Sequence, residues 1–182
     1  LLGLGCKSYA YCGIGDYYWS KGRYSSFNRT VKSAGFETTY YELNPHRIRN
    51  SRRKELKSLA DWLHSQPAPL GLMTCADDCS QHVIDACRTA NIRVPERVSI
   101  VGVDNDDMIC ELSNPPLSSI AMNFEAAGYQ SAELLAELIA QKHCANRSIV
   151  VNPTHIEVRT STDILAIEDA DVASAVRFIR EH

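Results

Sequence analysis

The chain has 182 residues, 45% of them apolar, and 19 Lys and Arg stand against 22 Asp and Glu for a net charge of -3. That length allows one domain, or one and a fraction, burying roughly 70% of the surface exposed when unfolded. The apolar content excludes a disordered chain, the balanced charge argues against a dedicated nucleic-acid surface, and no apolar run approaches the roughly 20 residues of a membrane-spanning helix.

In chain order, residues 7–12 read as a strand ending at Gly13. A helix follows over about 20–34, with Phe27, Val31 and Ala34 at helical spacing and Gly35 just past its end. Residues 37–43 are rich in β formers through Thr38, Thr39, Tyr40 and Tyr41. A basic run from His46 to Arg53 reads as a solvated loop, leading into a helix that carries Leu56, Leu59, Ala60 and Leu63 on one face and stops at Pro67 and Pro69. Residues 70–75 form a continuous apolar strand, and Asp77 is placed to cap the helix with Val83, Ile84 and Cys87. Pro95 separates that helix from a second apolar strand over 98–103. After Pro115 and Pro116 come a short strand, 117–122, and a long helix, 123–141, with Ala127, Leu134, Leu135, Leu138 and Ile139 expected inward. Two last β segments cover 148–151 and 155–159.

Strands alternate with helices, and the inner strands are apolar throughout instead of alternating. This pattern predicts an α/β fold, a parallel sheet covered by helices on both faces. From Asp163 the chain turns acidic and then amphipathic, with Val172, Val176 and Ile179 at helical spacing. This gives an effector domain over 1–162, and over 163–182 a linker and the first helix of a further module, cut short. The absent initial Met likewise predicts a piece of a longer protein. Seven scattered cysteines, without a secretory leader, predict free buried thiols in a reducing, cytoplasmic setting.

Ligands of open parallel sheets sit beyond the carboxyl ends of the strands. Three such ends here carry polar groups: the run from Gly13 to Arg23, the pair Asp77-Asp78, and Asp104 followed by Asn105, Asp106 and Asp107. Asp104 follows Val103 directly at the end of an apolar strand, and Arg23 lies in a first helical turn where a cation opposes the helix dipole. A guanidinium fork and a carboxylate suit the vicinal hydroxyls of a sugar, each of which donates and accepts. Trp19 and Tyr18 offer rings for its C–H face. No dinucleotide loop, phosphate loop, zinc-protease motif or nucleophile elbow is present. Cys75, Cys79 and His82 have a ligand-like spacing without a fourth ligand nearby, which favours buried thiols over a metal. The runner-up is a flavodoxin-like enzyme that would use these aspartates to hold Mg²⁺ for phosphoryl transfer.

The run from Val98 to Asn105, the segment from Pro115 to Ile120, Cys75-Ala76-Asp77 and the ending from Val158 to Thr162 resemble the core of lactose-repressor-type regulators. The segment from Trp19 to Phe27 is similar to a Trp-x-x-x-Arg-x-x-x-Phe stretch of xylose-responsive regulators, and residues 169–182 resemble the first helix of an arabinose-regulator-type DNA-binding module. The resemblance implies a periplasmic-binding-protein-like pair of lobes, of which this chain holds mostly the second, with crossings near Pro115-Pro116 and Asn152-Pro153. It implies sugar-responsive transcriptional control, with xylose as the effector and no catalytic residue, cofactor or metal. By position, Arg23 and Asp104 would contact the sugar, Trp19 would lie beside them, Asp77 would sit at the mouth, and Phe124 would line the site. Ala76 stands where the family often has Asn. The expected partners are the sugar, operator DNA bound through residues beyond 182, and a second copy of the chain in a homodimer.

Overall fold

A computed structural model describes residues 1–15, 17–140, 148–164 and 178. Six strands form one sheet in the order β2-β1-β3-β4-β5-β6. They are β1 (Ser8–Ile14), β2 (Thr38–Leu43), β3 (Leu70–Thr74), β4 (Val98–Asp104), β5 (Ser118–Ala121) and β6 (His155–Glu157). β1 to β5 pair in parallel, and β6 returns antiparallel on β5. The longer helices are α1 (Tyr18–Ser33), α2 (Pro45–Ser65), α3 (Asp77–Thr89), α4 (Asp107–Leu112) and α5 (Phe124–Ile139).

The apolar inner strands account for the centre of the sheet. Ala10, Leu72, Val98 and Ile100 are fully buried, and each strand has neighbours on both sides. Tyr11 lies under α1 and α1's neighbour β2, its ring against Tyr24, Phe27 and Tyr40, and its hydroxyl donates to the Ser20 carbonyl at 2.9 Å. Leu59, Leu63, Val83 and Cys87 join the same buried core from α2 and α3.

Several expectations need correction. The basic run is not a loop: it forms the first half of α2, whose N-cap Asn44 accepts from the backbone of His46 and Arg47 and whose Pro45 suits the first turn. The helix kinks at Ser51, with Arg47 and Arg49 before the kink and Arg52, Arg53, Lys54 and Lys57 after it. Asp77 does not cap α3; Ala76 holds that position without a side-chain bond, and Asp77 is the first helical residue. Residues 148–151 form no strand, and the chain rejoins the sheet where Thr154 N donates to the Ala121 carbonyl. Among the described residues, an apolar groove of about 480 Å³ lies over Met73, Val101, Ile120 and Ile156 beside α1.

The largest departure is α5. None of its residues is buried, and Leu135 and Ile139 are 58% and 75% exposed. Periodicity gives a helix one apolar face, but it does not provide a surface for that face to pack on. The chain leaves the sheet after Ala121 and returns at Thr154, so this excursion carries α5 off the lobe. The Pro115-Pro116 segment, expected to be a crossing, instead stays on the lobe, where the Pro116 carbonyl accepts from Ser161 N at 2.9 Å. The helix expected around Val172, Val176 and Ile179 lies outside the described residues.

Candidate functional site

The strand order reverses between β1 and β3: the connection from β1 leads outward to β2, and all later ones lead the other way. Loops diverge at such a point and leave a crevice beyond the strand ends. Arg23 comes to this crevice from the second turn of α1. One of its terminal nitrogens donates to the carbonyl of Cys75, just past β3. The other reaches Asp104 Oδ1, at the end of β4, at 3.0 Å. The guanidinium therefore joins elements that are 52 and 81 residues away in sequence.

Trp19 lies one turn earlier on α1. It stacks on Tyr17 at 5.6 Å, and the guanidinium carbon of Arg23 sits 5.2 Å from its ring centroid. Trp19 is 42% exposed and Tyr18 92%, so neither ring is core. The pair keeps solvent access, with side-chain exposures of 22% for Arg23 and 33% for Asp104. One carboxylate oxygen of Asp104 takes the guanidinium, and among the described residues the second accepts no hydrogen bond. Burial raises the Asp104 pKa above the ordinary carboxylate value, and Arg23 only partly offsets this.

The backbone beneath Asp104 is unusual. Asp104 has φ 112° and Asn105 φ 55°, two consecutive non-glycine residues with positive φ. Such conformations cost on the order of 1–3 kcal/mol each and persist where the surroundings hold them. Here a polar network does so. Asn105 N donates to Ser119 Oγ at 3.1 Å, Ser119 Oγ donates to Asp77 Oδ1 at 2.6 Å, and Asp77 Oδ2 accepts from Asp106 N at 2.9 Å. The Cys110 thiol also faces Asp77 Oδ2, at 3.5 Å. On the other side, Arg159 donates to Asn105 Oδ1 at 2.9 Å, the Leu117 carbonyl at 3.0 Å and Glu111 Oε1 at 2.6 Å.

Asp77 therefore does not stand at the mouth of the crevice. It is 1% exposed, and its oxygens are turned inward to the loop after β4. Burial raises its pKa, an effect the bonds from Ser119 and Asp106 only partly offset. Gly102 makes room for it, since a Cβ there would run into Asp77 Oδ1. Phe124 opens α5, three residues past Ala121, the residue that pairs with Asp104, and is 61% exposed. The structure thus brings together Arg23, Asp104 and Trp19, links Asp77 to the loop after Asp104 from within, and leaves Phe124 exposed at the start of α5. Ser119 and Arg159 escaped the sequence reading, because their partners lie 42 and 54 residues distant and no local pattern marks them.

The aspartates do not form a cation site. Asp77 is saturated and Asp104 is paired with Arg23, and among the described residues no three His, Cys, Asp or Glu side chains converge. Among the described residues, Mg²⁺-assisted phosphoryl transfer therefore has no ligand set in this crevice. The sulfurs of Cys75 and Cys79 lie 3.2 Å apart as free thiols, without His82 as a third ligand. The hydrogen bond between the two thiols holds Cys75 below its ordinary pKa.

A mostly parallel sheet with a polar cluster at its reversal point defines a ligand-binding lobe. Residues 1–162 match the family described as periplasmic-binding-protein-like domains, and the chain belongs to that family. Among curated proteins it is 30% identical over 167 residues to the xylose operon regulatory protein of Escherichia coli K12, covering 90% of this chain and 42% of that protein. It is 30% identical over 163 residues to the protein of that name from Haemophilus influenzae, again covering 90% and 42%. The chain thus spans less than half the length of these relatives. Among solved structures, a xylose-binding transcription activator superposes with a TM-score of 0.86 at 29% identity, covering all of this chain and 49% of that one. A LacI-type regulator from Alkaliphilus metalliredigens, complexed with D-xylulofuranose, superposes with a TM-score of 0.71 at 20% identity and shares the fold.

Proposed function

We propose that this chain is the effector-binding part of a sugar-responsive, DNA-binding transcriptional regulator, and that its effector is xylose. The observation that carries the reading is the Arg23–Asp104 pair, held at the reversal point of the sheet with its carboxylate still open to solvent. A pentose hydroxyl donates to that carboxylate, its neighbour accepts from the guanidinium, and the Trp19 ring covers the apolar face of the sugar. Phe124 and α5 belong to the wall that closes over the sugar from the other lobe. Asp77 acts from beneath by holding the Asp104 turn. The relatives named for xylose support this choice of sugar.

Binding drives the response, without catalysis: the sugar changes the angle between lobes, and that change is passed to DNA-reading elements elsewhere in the protein. A cytoplasmic homodimer would present two such elements to paired half-sites. Calorimetry on the full-length protein tests the reading. Arg23→Ala is expected to weaken xylose binding by about 1.5–3 kcal/mol, the range for hydrogen bonds to a charged group. Unchanged affinity would remove Arg23 from the site, and no heat with xylose, set against binding of another sugar, would reassign the effector.

A further inference from the structure

Folding the basic run into α2 turns a string of charges into a surface. Arg47, Arg49, Arg52, Arg53, Lys54 and Lys57 lie within this helix, and the one acid among them, Glu55, is 2% exposed and faces the core. Two of the cations are engaged: Arg47 stands 3.9 Å from Glu55, and Arg52 meets Asp85 at 2.5 Å. Arg49, Arg53, Lys54 and Lys57 are exposed and have no acidic partner among the described residues. Their nearest exposed acid along the helix is Asp61, one turn beyond Lys57.

Local stability does not account for this arrangement. Like charges four residues apart on a helix repel one another, and Arg53 and Lys57 have that spacing on the stretch of α2 beyond the Ser51 kink. Arg47 and Arg49 also lie in the first turns, where the helix dipole disfavours cations. The charge is local as well, because the whole chain is net negative. A face that costs the helix stability, carries guanidinium groups and protrudes into solvent fits an extended polyanion.

We propose that α2 makes sequence-independent contacts with the phosphate backbone of DNA, through Arg49, Arg53 and Lys57. The inference rests on the regulator reading, which puts the protein on DNA. It assigns this lobe a direct hold on the duplex, separate from the elements that read the operator. A helix presenting long cationic side chains, with no polar group set to read a base edge, positions DNA without specifying sequence.

The test uses the full-length protein and the triple variant Arg49→Gln, Arg53→Gln, Lys57→Gln. Fluorescence anisotropy follows binding to a duplex of about 40 base pairs of arbitrary sequence between about 50 and 200 mM salt. Three lost phosphate contacts should make the slope of log K against log salt shallower by about 2.7, while xylose affinity stays unchanged. Equal slopes in a variant that still binds xylose would overturn the proposal and leave the regulator reading intact. A wild-type protein that binds neither xylose nor duplex would instead sink the regulator reading. A poly-glutamate peptide is the remaining arm: if it binds the wild type and not the variant while the DNA slopes agree, α2 faces an acidic protein and the DNA assignment is wrong.

Discussion

At the scale of single residues, the site depends on keeping a carboxylate charged and a turn strained. Burial, only partly offset by Arg23, holds the Asp104 pKa above 3.8. As pH falls through that raised value, Asp104 loses its charge and its acceptor. Xylose affinity is expected to decline at a higher pH than an ordinary aspartate would give, and titration calorimetry across acidic pH reads the midpoint. The stability term runs the other way. The folded state holds this proton more tightly than the unfolded chain, so the contribution of Asp104 to stability falls as pH rises from 3.8 through the folded value. Gly102 gives a second test. Replacing it with Ala pushes a methyl group into Asp77 Oδ1 and should cost about 1–3 kcal/mol by overpacking. Because Asp77 supports the Asp104 turn, xylose affinity should drop along with the denaturation midpoint. A variant that loses stability and keeps full affinity would separate Asp77 from the site.

Elements show a different balance. α3 packs against α2, and His82 is half-buried between them, its Nδ1 buried without a hydrogen-bond partner. Burial, helped by the nearby Arg52 cation, lowers the His82 pKa below 6.5, with Asp85, Asp78 and Glu55 opposing. The neutral ring is the form that the folded state favours. The unfolded chain therefore binds the proton more readily, and stability is lost as pH falls below 6.5 toward the folded value. His82→Gln removes this loss. Thermal melts of the two proteins should converge above neutrality and separate in favour of the variant toward about pH 5. Parallel melting curves over that range would show that His82 does not titrate in this window.

For the molecule as a whole, the deciding feature is the open side of the crevice. Sugar sites in clefts bury most of the ligand surface, yet here Arg23, Asp104 and Trp19 face solvent and α5 stands exposed. Residues 1–162 alone are expected to bind xylose more weakly than the full-length protein by on the order of 100-fold, equivalent to about 3 kcal/mol of lost contacts. Equal affinities in parallel titrations would show that one lobe suffices. The apolar side chains of α5 and the groove over Met73 and Ile120 are two further open apolar surfaces. Each is a helix or sheet face whose apolar pattern is left open among the described residues.

Much of this was written in the residue order. Apolar runs at 70–75 and 98–103, flanked by Gly and Pro, specify buried parallel strands because an unbroken run has no solvent face to spare. Arg23 and Asp104 stood out because each sits where a purely local argument would not choose it, and position at a strand end then made them neighbours. What tertiary structure decided was which groups use up one another. Asp77 reads as a rim carboxylate until Ser119 and the Asp106 amide take its oxygens, and Arg159 is unremarkable until the chain returns from its excursion to lock Asn105. The basic run reads as a loop because Arg-rich segments lack apolar periodicity, and it became helix through the Asn44 cap and Glu55 turned to the core. Local pattern fixes which faces are apolar and where strands end. Whether a polar side chain is free to bind depends on partners tens of residues away, and only the folded chain brings those together.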